Sequence, residues 1–506
     1  MHKMAVNQIK GGAILSYVSL VIGNIIVLLY TPFMLRMMGQ SEYGIYSICN
    51  TISSTIAMLD AGLALAAVKF ITENKDNSDL PSIIGTFFVF YTGLGLLALA
   101  ISGCIAENAT AIFSKSMTSY EISSVRIILW VTGVYLALSF LTSVFVATVV
   151  AYERFIFIKI LDIIRSCLLP LLIIPFLLEG YKAIAMSTIT VCVFLSINVA
   201  KMIYCLTKLK IRITLHGISP VFVKQAVPFA VLIFVKLLLD NVYWSGGHLI
   251  LGIVAGTIPA AVFAVALQMK GYFCAVANPV NNLFLPRCVS LSKEANGMQL
   301  ISQLFIKVSR IQTILLGLVV SGYVVFGEQF MVLWAGSDYI DAYRASLIIM
   351  IPYMVPLAQG ILNSVLQAYN KLRYQLAVFV IICLIVVIGS FILGRLKGAM
   401  GAAYVLVFVI VIFEIIVMNL YYSKLGLNIK SFWYSFIKIM MPYVLVTVLS
   451  KFLLANLDLS SWYSWIISLL TFVVAAMSLE WFLVMNTEEK EYVIELWQRA
   501  LKRKKV

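Results

Sequence analysis

Continuous apolar stretches of bilayer length recur along almost the whole chain, and few folds can accommodate them. Cutting at charged or Gly/Pro/Asn-rich breaks gives about fourteen, near residues 12–35, 43–67, 83–106, 122–150, 160–178, 183–206, 226–253, 260–285, 306–326, 344–369, 374–394, 402–422, 433–455 and 463–485. A membrane-spanning segment must satisfy its own backbone polar groups, which leaves helices or closed barrels. Barrel strands alternate in hydrophobicity over short segments, and these runs do not. The sequence therefore predicts an all-α polytopic membrane protein with about 14 transmembrane helices. With 62% of 506 residues hydrophobic and 12% charged, an ordinary soluble enzyme is excluded. The first run, Gly12 to Leu35, is followed by no small-residue cleavage site and is expected to stay as a transmembrane helix.

The net charge of +15 comes from basic residues dispersed among loops, which argues for membrane topology and against nucleic acid. With the N-terminus in the cytoplasm, about 26 Lys and Arg fall inside and about 8 outside, so both termini are expected inside. Eight scattered cysteines with no CxxC or His/Cys cluster predict neither disulfides nor a metal site. The polar break Lys201 to Lys224 reads as a joint between an N-lobe (1–210, six spans) and a C-lobe (211–430, six spans). Two further spans (431–486) and a cytoplasmic tail helix (487–506) touching anionic lipid follow. Gly39 to Tyr46 after the first span is echoed by Gly256 to Phe263 after the seventh, the pattern of a parallel repeat with a substrate site between the repeats.

A charge near the bilayer centre costs roughly 2.5 to 3.5 kcal/mol, so such residues face a bundle interior or a water-filled cavity. Phe234 to Phe273 carries Lys236, Asp240, His248 and Lys270. Lys236, Asp240, Tyr243 and Gly247 share a helix stripe, read as a self-neutralising pair or as a polar cavity wall. Asp60, Arg165 and Glu414 also lie at depth. Arg165 can pair with Asp162, Arg344 with Asp341, Glu480 can reach the cytoplasmic surface, and Asp60 can cap a helix broken at Gly62. Lys270, Cys274 and Asn281 share one face of the eighth span. Prolines 32, 170, 175, 228, 279, 352, 356 and 442 fall inside spans, as suits kinked helices. No GxxxxGK[ST] loop is present, and no outside segment is long enough for a catalytic domain. An integral-membrane glycosyltransferase or polymerase is therefore the lesser alternative.

Several short motifs in order then resemble a family. They are Pro32-Phe-Met-Leu-Arg-Met-Met-Gly39, Glu42-Tyr-Gly-Ile-Tyr46, Leu59-Asp-Ala-Gly-Leu63, Ala151-Tyr-Glu-Arg-Phe155, Asp240 with Ile250-Leu-Gly252, and Phe330-Met-Val-Leu-Trp-Ala-Gly336 with Tyr339. Together they resemble the Wzx-type polysaccharide and oligosaccharide flippases of the multidrug/oligosaccharidyl-lipid/polysaccharide exporter superfamily. Ala61 and Phe263 depart from the family pattern. The resemblance implies a two-lobed bundle in the bacterial cytoplasmic membrane that moves an undecaprenyl-pyrophosphate-linked oligosaccharide between leaflets. It implies membrane lipid, polysaccharide polymerase and glycosyltransferases as partners, and no cofactor. On that basis Lys236, Lys270, Asn281 and Arg165 are candidate substrate-binding residues, with Asp60, Asp240 and Glu414 as candidate ion-coupling residues. Flipping of the peptidoglycan lipid precursor and multidrug/cation antiport are the alternatives within the superfamily.

Overall fold

In the computed structural model, which describes residues 2–214, 220–281, 284–455, 457–459, 461–491 and 494–495, the apolar runs are helices, the form that closes its own backbone hydrogen bonds in lipid. The first seven are α1 (His2–Glu73), α2 (Leu80–Glu107), α3 (Ala109–Phe113), α4 (Ser119–Ala151), α5 (Phe155–Leu178), α6 (Ala183–Thr207) and α7 (Pro220–Val254). Then come α8 (Thr257–Asn281), α9 (Leu285–Leu291), α10 (Gly297–Trp334), a 3₁₀ turn (Ser337–Tyr339), α11 (Ile340–Ala358) and α12 (Ile361–Ala368). The chain ends with α13 (Leu372–Val409), a π-helix (Ile410–Val417), α14 (Met418–Lys424), α15 (Ile429–Leu454) and α16 (Trp462–Leu483).

Among the described residues twelve helical stretches are long and apolar enough to cross a membrane. Two of them, of 56 and 53 residues, are double length. Each turns at a glycine in a non-helical conformation, Gly39 (φ 75°, ψ 171°) and Gly398 (φ 56°, ψ −136°). Counting those two twice gives fourteen crossings, the number read from the sequence. Most boundaries fall within a few residues of expectation, while α10 runs on by about two turns at each end. The predicted span 344–369 is broken between α11 and α12. The sequence echo has a backbone counterpart, because Gly256 (φ 92°) shares the left-handed φ of Gly39 and likewise precedes a long helix.

The chain divides into two units, residues 1–261 and 262–506. The sequence places the joint at Lys201–Lys224, but α7 belongs with the first unit because it packs along α1; residues 215–219 of that joint lie outside the described residues. In the first unit α4 packs against α1, α2 and α6, with Ser102 donating to the Leu129 carbonyl at 2.6 Å.

In the second unit α10 packs against α11, α15 and α16 over a core that includes Ile314, Phe326, Tyr443 and Phe472. Arg310 donates to Glu489 at 2.7 and 3.0 Å and to the Val484 carbonyl at 3.2 Å. This pair ties the helical start of the tail, residues 487–491, to the bundle, and residues 496–506 of the tail lie outside the described residues. Glu480 does not reach a surface as expected. It is fully buried beside Arg310, because α16 turns that face into the core of Phe472 and Ala476.

Candidate functional site

The first unit holds three polar groupings within its spans. The longest is a seam between α1 and α7. Ser47, Thr51 and Thr55 recur every four residues and so share one face of α1. Opposite them, His248 is hydrogen-bonded to Ser47 at 3.2 Å through Nε2 and to Thr51 at 3.0 Å through Nδ1, and Asn241 accepts from Thr55 at 3.0 Å. Backbones approach so closely that a Cβ on Gly62 would lie 2.1 Å from the Ala230 carbonyl oxygen of α7, and one on Gly44 2.1 Å from that of Thr257 at the start of α8. Small residues at such a crossing let backbones meet and side-chain hydrogen bonds act as glue. Glu121 extends the seam at one end, accepting from Ser41 at 2.6 Å and from Thr257 at 2.7 Å.

Asp60 lies beyond the seam. Its Oδ2 accepts from Ser143 of α4 at 2.8 Å, and the buried Tyr91 hydroxyl of α2 lies beside the same carboxylate. The helix is unbroken at Gly62, so Asp60 joins α1 to α4 and α2 and does not cap a helix end as expected. The third grouping joins α5 and α6. Asp162 is shared by Lys159 at 3.4 Å and Arg165 at 3.9 Å, and the Arg165 guanidinium lies 5.2 Å from the centre of the Phe194 ring. Lys201 of α6 is buried and within electrostatic reach of all three.

Lys236 and Asp240 do not close into the pair the sequence suggests. Lys236 is exposed and Asp240 half-buried, within reach of each other's charge but not in ion-pair contact. Farther along the stripe Tyr243 and Gly247 are buried, so this face is not a uniform polar wall.

In the second unit the structure brings Lys270 and Glu414 together, which the sequence treated separately. Lys270 Nζ lies 5.4 Å from the centre of the Tyr353 ring on α11 and within electrostatic reach of Cys274 and Glu414. Glu414 is carried by the π-helix, a rare winding that occurs mostly at functional sites. Asn281, placed by sequence on the Lys270 face, is bound elsewhere: it accepts from Gln312 at 2.5 Å and donates to the Leu357 carbonyl at 3.4 Å. Its amide is the joint where α8, α10 and the break after α11 meet, with no room for a Cβ on Gly360.

Lys201 and the seam role of His248 escaped the sequence reading. The expected span 183–206 already contained Lys201, but assigning it to the polar joint hid a buried cation. His248 was visible as a polar residue in an apolar run, and its partners were not.

No protein-family model matches the sequence, and no curated protein does. Solved structures do match. The lipid II flippase MurJ in an inward closed conformation aligns at 14% identity over 92% of this chain and 97% of that one, with a TM-score of 0.69. A multidrug resistance MATE transporter of the MOP superfamily aligns in an inward-facing conformation at 13% identity over 76% of this chain and 96% of that one, with a TM-score of 0.56. An outward-facing MATE structure aligns at 12% identity over 80% and 93%, with a TM-score of 0.54. At these identities the likeness is one of fold, and this chain has the fold that MurJ and the MATE transporters share.

Proposed function

We propose that this chain is a flippase that moves an undecaprenyl-pyrophosphate-linked oligosaccharide across the cytoplasmic membrane by alternating access, supplying surface-polysaccharide assembly. Coverage favours lipid flipping over drug export. The MATE structures are nearly fully matched yet leave a fifth to a quarter of this chain unaccounted for, whereas the MurJ structure is matched over 92% of this chain. The charge inside the spans is consistent with this. Lys270, Arg165 and Lys236 suit an anionic pyrophosphate, and a hydrated glycan needs a polar route that bare lipid does not offer. Asp60, Asp240 and Glu414 are the carboxylates offered to a coupling cation. Glycosyltransferases would make the substrate and a polymerase would consume it.

The test is reconstitution into vesicles with an undecaprenyl-pyrophosphate oligosaccharide bearing a fluorescent sugar, followed with a membrane-impermeant quencher. The expected result is protein-dependent movement of the label between leaflets. If the label stays in its leaflet while the same vesicles transport a cationic dye, the drug-export reading replaces this one. Preferential movement of lipid II would assign the peptidoglycan precursor instead.

A further inference from the structure

Three cations share one carboxylate between α5 and α6. Lys159 and Arg165 both lean on Asp162, and the acid acting on Lys201 is again Asp162. Among the described residues the group therefore carries two positive charges beyond its one carboxylate, between two apolar helices. The other buried cation among the described residues, Arg310, has a two-pronged contact with Glu489 and a backbone carbonyl. Lys201 is the buried member, and a buried ammonium that shares its one acid with two other cations is strongly unfavourable, so the pattern calls for an external anion.

The geometry gives such an anion a way in and a fixed seat. Lys159 and Arg165 lie roughly 6 to 15 Å along α5 from its start at Phe155. Their side chains are 31% and 39% exposed, while Lys201, within electrostatic reach of both, is buried. The guanidinium lies over the Phe194 ring at 5.2 Å from its centre, a cation–π contact that limits where the fork can go, and Phe157 stacks on Tyr204 at 4.0 Å to clamp α5 against α6. A guanidinium fork held in this way meets two phosphate oxygens at once, and an ammonium adds a point charge.

We infer that Lys159, Arg165 and Lys201 form a binding site for a dianion of the phosphate or diphosphate class. The inference deepens the flippase reading and rests on it only in expecting a polyprenyl tail on that group.

The test uses the purified full-length protein in detergent, with undecaprenyl diphosphate and inorganic pyrophosphate as separate probes of affinity. The variants are Lys201→Met, Arg165→Gln and Asp162→Asn, with Arg344→Gln at an exposed pair as control and melting temperature recorded for each. Lys201→Met removes a buried charge at similar volume, so the fold is spared. Lys201→Met and Arg165→Gln should each weaken binding about tenfold, and Asp162→Asn should tighten it several-fold because it removes the carboxylate that competes for all three cations. Opposite signs within one cluster are not what a merely structural role produces. Equal affinities across all variants would overturn the site and leave the flippase reading standing if the lipid still binds. Weaker binding in Asp162→Asn would also overturn it. Cluster-dependent binding of pyrophosphate with no gain from the polyprenyl tail would keep the site and count against the lipid substrate. Absence of binding by the unaltered protein would remove both.

Discussion

Replacing Gly62 by alanine puts the α1–α7 seam to a quantitative test. The new Cβ would lie 2.1 Å from the Ala230 carbonyl oxygen, where ordinary contact begins near 3.4 Å, so the helices must part by about 1.3 Å. The obstacle is backbone and has no rotamer to escape into. Overpacking of this kind costs about 1 to 3 kcal/mol. The nearest seam bond, Thr55 to Asn241 at 3.0 Å, would be stretched beyond bonding distance, adding roughly 0.6 kcal/mol at the average strength found in membranes. The closed seam should therefore lose about 1.6 to 3.6 kcal/mol, roughly a fifteenfold or larger change in its population relative to an open one. The assay is maleimide labelling of Met58→Cys, which lies between Thr55 and Gly62 on the same helix face, in a background without the native cysteines, with and without Gly62→Ala. Labelling should accelerate at least tenfold, whereas Gly93→Ala, with open space around it, should change nothing. Unchanged labelling and melting in an inserted Gly62→Ala protein would show that α1 and α7 do not meet as described.

Glu489→Gln should lower stability by about 3 to 5 kcal/mol, since it takes the two-pronged ion pair from buried Arg310 and leaves only the neighbouring Glu480, and Arg310→Met with Glu489→Leu should recover most of it. Thermal unfolding in detergent checks both. Lys270→Glu would place a second carboxylate beside Glu414, and the vesicle assay should show at least tenfold slower movement, with Lys270→Gln retaining more. Lys236→Met should change melting by less than about 1 kcal/mol equivalent, because that side chain is exposed and not in ion-pair contact. A larger loss would mean that Lys236 closes onto Asp240 after all.

Span number and placement were legible because hydropathy over some twenty residues is a strong and additive signal, and Gly39 and Gly256 could be matched as echoes. Pairings across helices were not legible. Periodicity placed Lys236 and Asp240 on one stripe, but it cannot tell which neighbour that stripe meets, and the structure puts Tyr243 and Gly247 of the same stripe inside the protein. Asn281 followed Lys270 in register, yet its amide is occupied by Gln312 and Leu357. Lys270 and Glu414, 144 positions apart, meet only through tertiary packing. The π winding has no mark in Ile410–Val417, which reads as one more apolar stretch around a single acid.

That winding makes the segment a gear. Its backbone hydrogen bonds reach five residues back, whereas the helices on either side reach four. Rewinding it to the tighter pitch would advance every later residue by a fraction of a turn, including Asn419 and Tyr422 on α14, without bending the axis. Glu414, inside the segment, would turn about the helix axis and change its bearing on Lys270. A small local exchange of backbone bonds would then change how strongly the carboxylate acts on the cation, which couples the electrostatics of one residue pair to rotation of a helix end.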